Sequence, residues 1–272
     1  MTQSTDLVAL PDDMPSELLT ERQGAVLILT ISDPETRNTL SEAVVTAGIE
    51  ALSTAESDDE IRAIVLRGNG AHFCAGGNLQ GLMARRQAGV EAQARMLERL
   101  HQWVEALRAC PKPVIAAVEG AAAGAGFSLA LACDLIVASE EARFILSYAK
   151  LGLTPDGGAT WHLSRALPRA AVQQMVWLAE PVGAAQLQAW GVVQAVCSPG
   201  QALVEALRWA DRLAAMAPNA VAGAKELLNA AASNDLAAQL AAERDQFLLN
   251  LFHANGGEGL AAFVAKRAPK FE

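Results

Sequence analysis

The apolar positions of this chain fall into short runs that are separated by glycine-rich turns and by longer periodic stretches. Residues 17–21 and 25–31 alternate or run apolar around Gln23-Gly24, which predicts a β-hairpin. Further short apolar runs predict strands at 61–66, 113–118, 134–138 and 144–146. Because helical patterns separate several of these strands, the sequence predicts an α/β fold.

Helical periodicity follows several of the predicted strands. Ser41 can cap a helix that ends near residues 57–59, another helix lies near 91–109, and a small-residue helix spans 128–133. The recurring order of strand, loop and helix is typical of a parallel, right-handed winding. It fits a stacked spiral as well as an open doubly wound sheet.

The character of the chain changes after about residue 200. Only helical patterns remain there, at 201–216, 219–232 and 236–252, and they are rich in alanine and leucine. We therefore predict a core at 1–200 and a helical C-terminal region at 201–272. The apolar faces of this region can pack on the core or on another subunit.

Composition narrows the classes of function. The chain has 272 residues, 52% of them hydrophobic, and a formal net charge of −9, which argues against nucleic acid or an anionic membrane as the main partner. The four cysteines show no CxxC pairing and no metal-ligand spacing, so we expect reduced thiols, no metal site and a cytoplasmic location. Residues 1–13 are polar and acidic without a secretory pattern, and no apolar run is long enough for a membrane span.

Two glycine-rich loops each follow a predicted strand and lead toward a helix. They are residues 73–79 (Phe-Cys-Ala-Gly-Gly-Asn-Leu) and 120–128 (Gly-Ala-Ala-Ala-Gly-Ala-Gly-Phe-Ser). Small residues allow another group to approach the backbone, and a helix start offers unpaired N–H groups with partial positive charge. Two such starts brought together can hold a developing negative oxygen between two backbone donors. The loops therefore predict an oxyanion hole.

In combination these segments resemble the crotonase (enoyl-CoA hydratase/isomerase) superfamily. The resemblance covers nearly the whole chain and rests on residues 73–79, 111–120, 124–126 and 133–134. It implies a crotonase-like spiral of repeated β-β-α units, followed by a helical C-terminal oligomerisation region that builds a homotrimer or a dimer of trimers. It also implies an acyl-CoA thioester substrate and no cofactor, since coenzyme A is part of that substrate.

The resemblance places the two oxyanion-hole donors on the backbone N–H groups of Gly77 and Ala125. It places Ala75, Gly76 and Gly124 beside them, as residues that bind the substrate or its coenzyme A. Removal of a proton next to a thioester makes an enolate, whose oxygen needs such preorganised donors.

This chain departs from the hydratases of the superfamily at two positions. Water addition there uses two glutamates, and the matching residues here are Ser128 and Tyr148. Neither is a carboxylate, which argues against ordinary hydratase chemistry. A carboxylate stands instead at Asp156, before Gly157-Gly158. An aspartate commonly initiates such a turn, but acyl-CoA isomerases and aryl-CoA dehalogenases of the superfamily place a working aspartate at this position.

Residues 144–156 and 160–163 are most similar to the 1,2-epoxyphenylacetyl-CoA isomerase branch. This likeness implies an isomerase in which Asp156 takes a proton from a carbon conjugated to the thioester and returns one elsewhere, while the wall at Tyr148 excludes water. Two alternatives remain. Asp156 is a nucleophile in a hydrolytic dehalogenase, with His101 activating water, or the chain binds acyl-CoA without catalysis.

The phosphates of coenzyme A call for cations. Arg37, Lys266 and Arg267 are candidates from the resemblance, although each is equally well explained as an ordinary solvated charge. Leu79 and Phe263 are expected to line the acyl and adenine regions.

Overall fold

The hairpin at the start of the fold is confirmed. The computed structural model describes residues 16–272, so the polar, acidic segment 1–13 lies outside the described residues. Strand β1 (Glu17–Gln23) pairs antiparallel with β2 (Val26–Ser32), and Gln23 faces Val26 across the turn. Gly24 occupies that turn with φ +58°, a conformation that favours glycine.

Seven further strands follow in two sheets. They are β3 (Ala63–Gly68), β4 (Val114–Val118), β5 (Ala121–Ala123), β6 (Leu135–Ser139), β7 (Arg143–Ile145), β8 (Val182–Gly183) and β9 (Ala195–Cys197). A six-stranded sheet has the order β1-β2-β3-β4-β6-β9, and all its pairs except β1–β2 are parallel. A three-stranded sheet has the order β5-β7-β8.

Eleven helices complete the described part of the chain, residues 16–272. They are α1 (Glu42–Ser57), α2 (Leu79–Ala88), α3 (Val90–Ala109), α4 (Ala125–Ala132), α5 (Ala159–Ala166), α6 (Arg169–Leu178), α7 (Ala184–Ala189), α8 (Ala202–Ala214), α9 (Pro218–Ala231), α10 (Leu236–Leu251) and α11 (Ala254–Val264). Short 3-10 turns lie at Pro34–Thr36 and Ser147–Leu151. As predicted, Ser41 caps α1, accepting a hydrogen bond from the Val44 N–H at 3.2 Å.

Successive β-β-α units build the core. In β4-β5-α4 and again in β6-β7-α5, the first strand joins the six-stranded sheet and the second joins the three-stranded sheet. The α/β class and the spiral of repeated units are therefore confirmed. An open doubly wound sheet, the other expected architecture, does not place consecutive strands in two sheets in this way.

Three differences from the predicted elements have local causes. Helix α2 forms where the sequence predicts no helix, because the Asn78 side chain accepts from the Gly81 N–H and Gly89 ends the helix. Helix α11 forms beyond the last predicted helix, 236–252, and begins where Gly256 packs against the Asn250 carbonyl. Helix α4 begins at Ala125, three residues before the predicted start at 128, which puts its free N–H groups in the second glycine loop.

The six-stranded sheet is buried on both faces, as parallel sheets usually are. One face carries the larger apolar core, where α1 and α3 pack around Trp103 and Leu107. The other face is covered by α8, whose Ala202, Ala206 and Ala210 are fully buried. The first helix of the C-terminal region thus packs on the core, while the division of the chain at residue 200 stays a prediction.

The contact between α1 and α3 predicts a stability effect. A Cβ on Gly48 would overlap the fully buried indole of Trp103, so Gly48→Ala is expected to destabilise the protein by about 1–3 kcal/mol through overpacking. Gly257→Ala is the control, because an added Cβ there meets nothing within 4 Å and the helix gains about 0.5–1 kcal/mol. Urea unfolding of both variants checks this, and a Gly48→Ala variant as stable as wild type would contradict it.

Helices α9 and α10 differ in how strongly they are attached to the core. Helix α9 is tied to the core by Lys225, whose ammonium donates to the Leu107 carbonyl at 3.0 Å and to the Asp134 carboxylate at 2.8 Å. Helix α10 buries none of its residues and exposes large apolar side chains such as Phe247 and Leu249. Within residues 16–272, no helix combines the length and apolar character that crossing a membrane requires.

Candidate active site

The two glycine loops meet at the edge of the core. Cys74 donates its backbone N–H to the Ala121 carbonyl at 3.0 Å, and Ala123 donates to the Cys74 carbonyl at 2.9 Å. These bonds form a short parallel bridge between Cys74 and Ala122. The loops predicted to share one function are therefore joined backbone to backbone.

Glycine is required where the loops touch. Gly76 has φ +90°, and a Cβ there would lie 2.6 Å from the Ala123 carbonyl oxygen and 3.2 Å from the Ala125 nitrogen. Gly126 faces Cys74 so closely that a Cβ would lie 2.8 Å from its sulfur. Any side chain at either position would push the loops apart. The close approach keeps the Ala125 amide next to the first loop.

Both predicted donors are available for a ligand. Ala125 is the first residue of α4, and Gly77 directly precedes Asn78, the cap of α2. Within the described residues, neither N–H donates to a protein acceptor. A Cβ on the exposed Gly77 would meet nothing within 4 Å, so open space adjoins its backbone. The Ala125 N–H at the start of α4 and the unpaired Gly77 N–H just before the cap of α2 are suited to binding an anionic oxygen.

The third predicted group, Asp156, lies in the turn between the Ser147–Leu151 segment and α5, and two hydroxyls bind it. The Tyr148 hydroxyl donates to Asp156 Oδ1 at 2.7 Å, and the Ser128 hydroxyl donates to the Asp156 backbone carbonyl at 2.9 Å. Gly157 has φ +57°, which lets the chain turn here. It also lets the turn approach α4, since a Cβ on it would lie 2.8 Å from the Ser128 Cβ. The carboxylate is thereby fixed beside α4.

Burial governs the protonation of this pair. It raises the pKa of the Asp156 carboxyl above its usual range, against the lowering effects of the Tyr148 hydrogen bond and of His101 on α3. The pKa of the Tyr148 hydroxyl is raised as well, first by burial and then by the negative charge of Asp156. At neutral pH the phenol therefore stays protonated and remains a hydrogen-bond donor to the carboxylate.

An apolar cavity of about 820 Å³ lies between α2, the start of α3 and residues 151–153, which precede Asp156 in the chain. Arg86 is the one charged side chain among its lining residues. The large apolar side chains that line it are Leu79, Leu82, Met83, Val90, Leu97, Leu151 and Leu153. Such a lining accepts a neutral, apolar group.

The predicted coenzyme A contacts divide into two groups. Arg37 lies beside the first loop, where its carbonyl accepts from the Ala75 N–H at 2.9 Å, and its side chain is exposed. Leu79 lines the cavity. Phe263 and Lys266 are exposed at the end of α11, and within the described chain no hydrogen bond or ion pair links either residue to the loops. Arg37 and Leu79 thus lie at the first loop and the cavity, whereas Phe263 and Lys266 lie at the C-terminal end of a separate helix, α11.

Sequence reasoning missed the role of Ser128 and the bond between Tyr148 and Asp156. Ser128 was noticed only as a missing carboxylate, yet it is buried and bonds to the Asp156 carbonyl. Tyr148 and Asp156 are eight residues apart around a turn at Gly152, with φ +71°. No periodic pattern marks such a pair, so the sequence carried no signal for it.

Known proteins resemble this chain over most of its length. The sequence profile of the enoyl-CoA hydratase/isomerase family matches residues 21–272. The 1,2-epoxyphenylacetyl-CoA isomerase of Escherichia coli K12 is 35% identical, over 93% of this chain and 97% of that protein. The 2,3-dehydroadipyl-CoA hydratase of the same organism is 37% identical, over 94% and 99%.

Among solved structures, an enoyl-CoA hydratase from Polaromonas sp. JS666 is 54% identical, with a TM-score of 0.93, over 94% of this chain and all of that one. Sequence and structure thus agree across the spiral core and the C-terminal helices. The chain belongs to the enoyl-CoA hydratase/isomerase family.

Proposed function

We propose that this protein is an acyl-CoA isomerase that shifts a double bond, or rearranges a ring-derived acyl group, through a thioester enolate. Asp156 removes a proton from a carbon conjugated to the thioester and returns it at another carbon. The N–H groups of Gly77 and Ala125 hold the enolate oxygen. One observation carries the proposal: the two positions matching the hydratase glutamates hold no carboxylate, and both of their side chains bond to Asp156.

The chemistry follows from this arrangement. A carboxylate with a raised pKa is a suitable proton carrier near neutral pH. Each backbone donor of an oxyanion hole contributes about 3–4 kcal/mol to lowering the barrier. Base and donors both belong to the chain, so the proposed proton transfer needs no cofactor besides the coenzyme A of the substrate.

The substrate we propose carries a neutral, apolar acyl group. The leucine-rich lining of the cavity supports this, and the similarity to the E. coli 1,2-epoxyphenylacetyl-CoA isomerase supports a ring-derived or unsaturated one. Arg37 lies exposed beside the first loop, and we propose that its side chain meets the coenzyme A phosphates.

We also propose a homotrimer or a dimer of trimers. The C-terminal helices support it, since Phe247, Phe252, Phe263 and Val264 are each at least 64% exposed in the single chain, more apolar surface than a monomer usually shows. In such an assembly Phe263 and Lys266 are available to a coenzyme A bound by a neighbouring copy. Light scattering on the purified protein tests this, and a monomer at micromolar concentration would refute it.

Incubation with a 3-enoyl-CoA and with an epoxyphenylacetyl-CoA in D2O tests the isomerase. We expect double-bond migration or ring rearrangement, with deuterium entering carbons conjugated to the thioester. A 2-enoyl-CoA is the control, and its hydration should be slower than isomerisation. Water addition as the main reaction, or no migration and no exchange with either ester, would reject the isomerase.

Hydrolytic dehalogenation is the second candidate, because His101 is close enough to Asp156 to affect its pKa. Asp156 would then attack an aryl carbon and release halide, and water activated by His101 would cleave the ester. Halide release from a halobenzoyl-CoA, with 18O from water on Asp156 in a single turnover, would establish this reaction. Tight acyl-CoA binding without any turnover would instead indicate a binding protein.

A further inference from the structure

We propose that Tyr148 and Ser128 are positioning residues that hold Asp156 by one carboxylate oxygen and by its backbone, which leaves Oδ2 as the oxygen that takes up and returns the substrate proton. The positioning rests on this chain's own geometry. The role of Oδ2 in proton transfer rests on the proposed function.

Two hydrogen bonds hold Asp156 from different sides. Tyr148 holds Oδ1 at 2.7 Å and is only 8% exposed, and Ser128 holds the backbone carbonyl at 2.9 Å and is fully buried. Among the described residues, no hydrogen bond from another residue to Oδ2 accompanies these two contacts. Because the Tyr148 and Ser128 side chains are packed in the core, they hold Asp156 in the orientation in which Oδ1 is bound.

The Tyr148 hydroxyl also lies beside the second glycine loop. A Cβ on Gly124 would lie 3.5 Å from that hydroxyl, and the next residue, Ala125, supplies a predicted oxyanion donor. One side chain therefore bonds to the proton-carrying carboxylate and lies beside the loop that holds the enolate oxygen. This fixes the spacing between base and oxyanion hole, which proton transfer to and from a bound enolate requires.

The Tyr148 hydrogen bond stabilises the carboxylate anion and so keeps Asp156 available as a base despite its burial. Among the described residues, His101 on α3 is the titratable side chain from another element that lowers the pKa of Asp156. If a single oxygen both removes and returns the proton, transfer occurs on one face of the enolate.

The composition of the chain offers a direct test of the contact. Tyr148 is its single tyrosine, so protein labelled with 13Cζ-tyrosine gives one signal without any substrate. We expect this signal to move in one step as the Asp156 carboxyl titrates, at a pH above the ordinary carboxyl range. The step should vanish in Asp156→Asn. In His101→Gln it should persist and move to higher pH, because the loss of a group that lowers the Asp156 pKa raises that pKa.

Two outcomes would overturn the positioning role. One is a tyrosine signal that does not change between about pH 4 and pH 9, since a hydroxyl bound to a titrating carboxyl must respond to it. The other is a step that survives in Asp156→Asn or disappears in His101→Gln, which would assign it to another group. Neither result depends on catalysis, so the test of the positioning role remains valid even if the protein proves not to be an isomerase.

The effect on catalysis is measured separately, as the pH dependence of kcat/KM for isomerisation. Asp156 is active as an anion, so the rate falls as the pH drops through its pKa. Tyr148→Phe removes a lowering influence and should move this acidic limb about one pH unit higher, with a lower kcat and a nearly unchanged KM. Ser128→Ala, the matched control, should lower kcat and leave the limb in place. A limb that stays fixed in Tyr148→Phe would refute the proposal even if the isomerase is confirmed.

Discussion

Asp156→Asn is expected to lower isomerase turnover by about 10²–10⁴-fold, the usual contribution of a positioned general base. Asparagine keeps the size of the side chain and can still accept from the Tyr148 hydroxyl, which bonds to Oδ1 in the native protein. It cannot take up a proton from carbon. Steady-state turnover of a 3-enoyl-CoA measures the loss of catalysis. Titration with a saturated acyl-CoA measures binding of the ester, which should survive.

Asp59→Asn is the control for this substitution, since Asp59 is an exposed aspartate far along the chain from the site. It should match wild type in turnover and in Tm. Turnover of Asp156→Asn within threefold of wild type would remove this carboxylate from the mechanism. Loss of acyl-CoA binding in the same variant would show instead that Asp156 acts mainly in holding the site together.

Ala125→Pro is expected to lower kcat by about 10²–10³-fold by deleting one oxyanion donor. Proline lacks the backbone N–H, yet the first position of a helix tolerates it, because that N–H has no partner inside the helix. Ala125 occupies this position in α4, after the Gly124 cap. The substitution therefore removes the donor and leaves the helix able to form. Initial rates and thermal unfolding, measured on the same preparation, separate the two effects.

Arg169→Pro is the matched control, because Arg169 is an exposed residue at the first position of α6. It places the same ring at an equivalent backbone position outside the glycine loops, and it should leave kcat unchanged. If Ala125→Pro keeps its activity, the amide of Ala125 does not stabilise the enolate. If it unfolds while Arg169→Pro does not, close packing of the loops at Gly76 is the cause, and the test passes to an amide-to-ester replacement at Ala125, which deletes the N–H without adding a ring.

Much of the fold could be predicted from local sequence because local interactions decide it. Two-residue alternation and a glycine turn define the β1–β2 hairpin, and Ser41 with periodic valines defines α1. Helices α2 and α11 were missed for the opposite reason. Their glycines carry a cost that is offset by a cap at Asn78 in one case and by packing of Gly256 in the other, and no pattern along the chain shows those partners.

The same distinction holds in the candidate site. The glycine loops, the absence of both hydratase glutamates and the presence of Asp156 could be predicted, because they depend only on residue type and on a recognisable motif. Tertiary packing was needed to join the loops at Cys74 and Ala122, to start α4 at the Ala125 N–H, and to bond Ser128 and Tyr148 to Asp156. These contacts form across a turn or between separate β-β-α units, and packing of the whole core, which no local pattern encodes, brings them together.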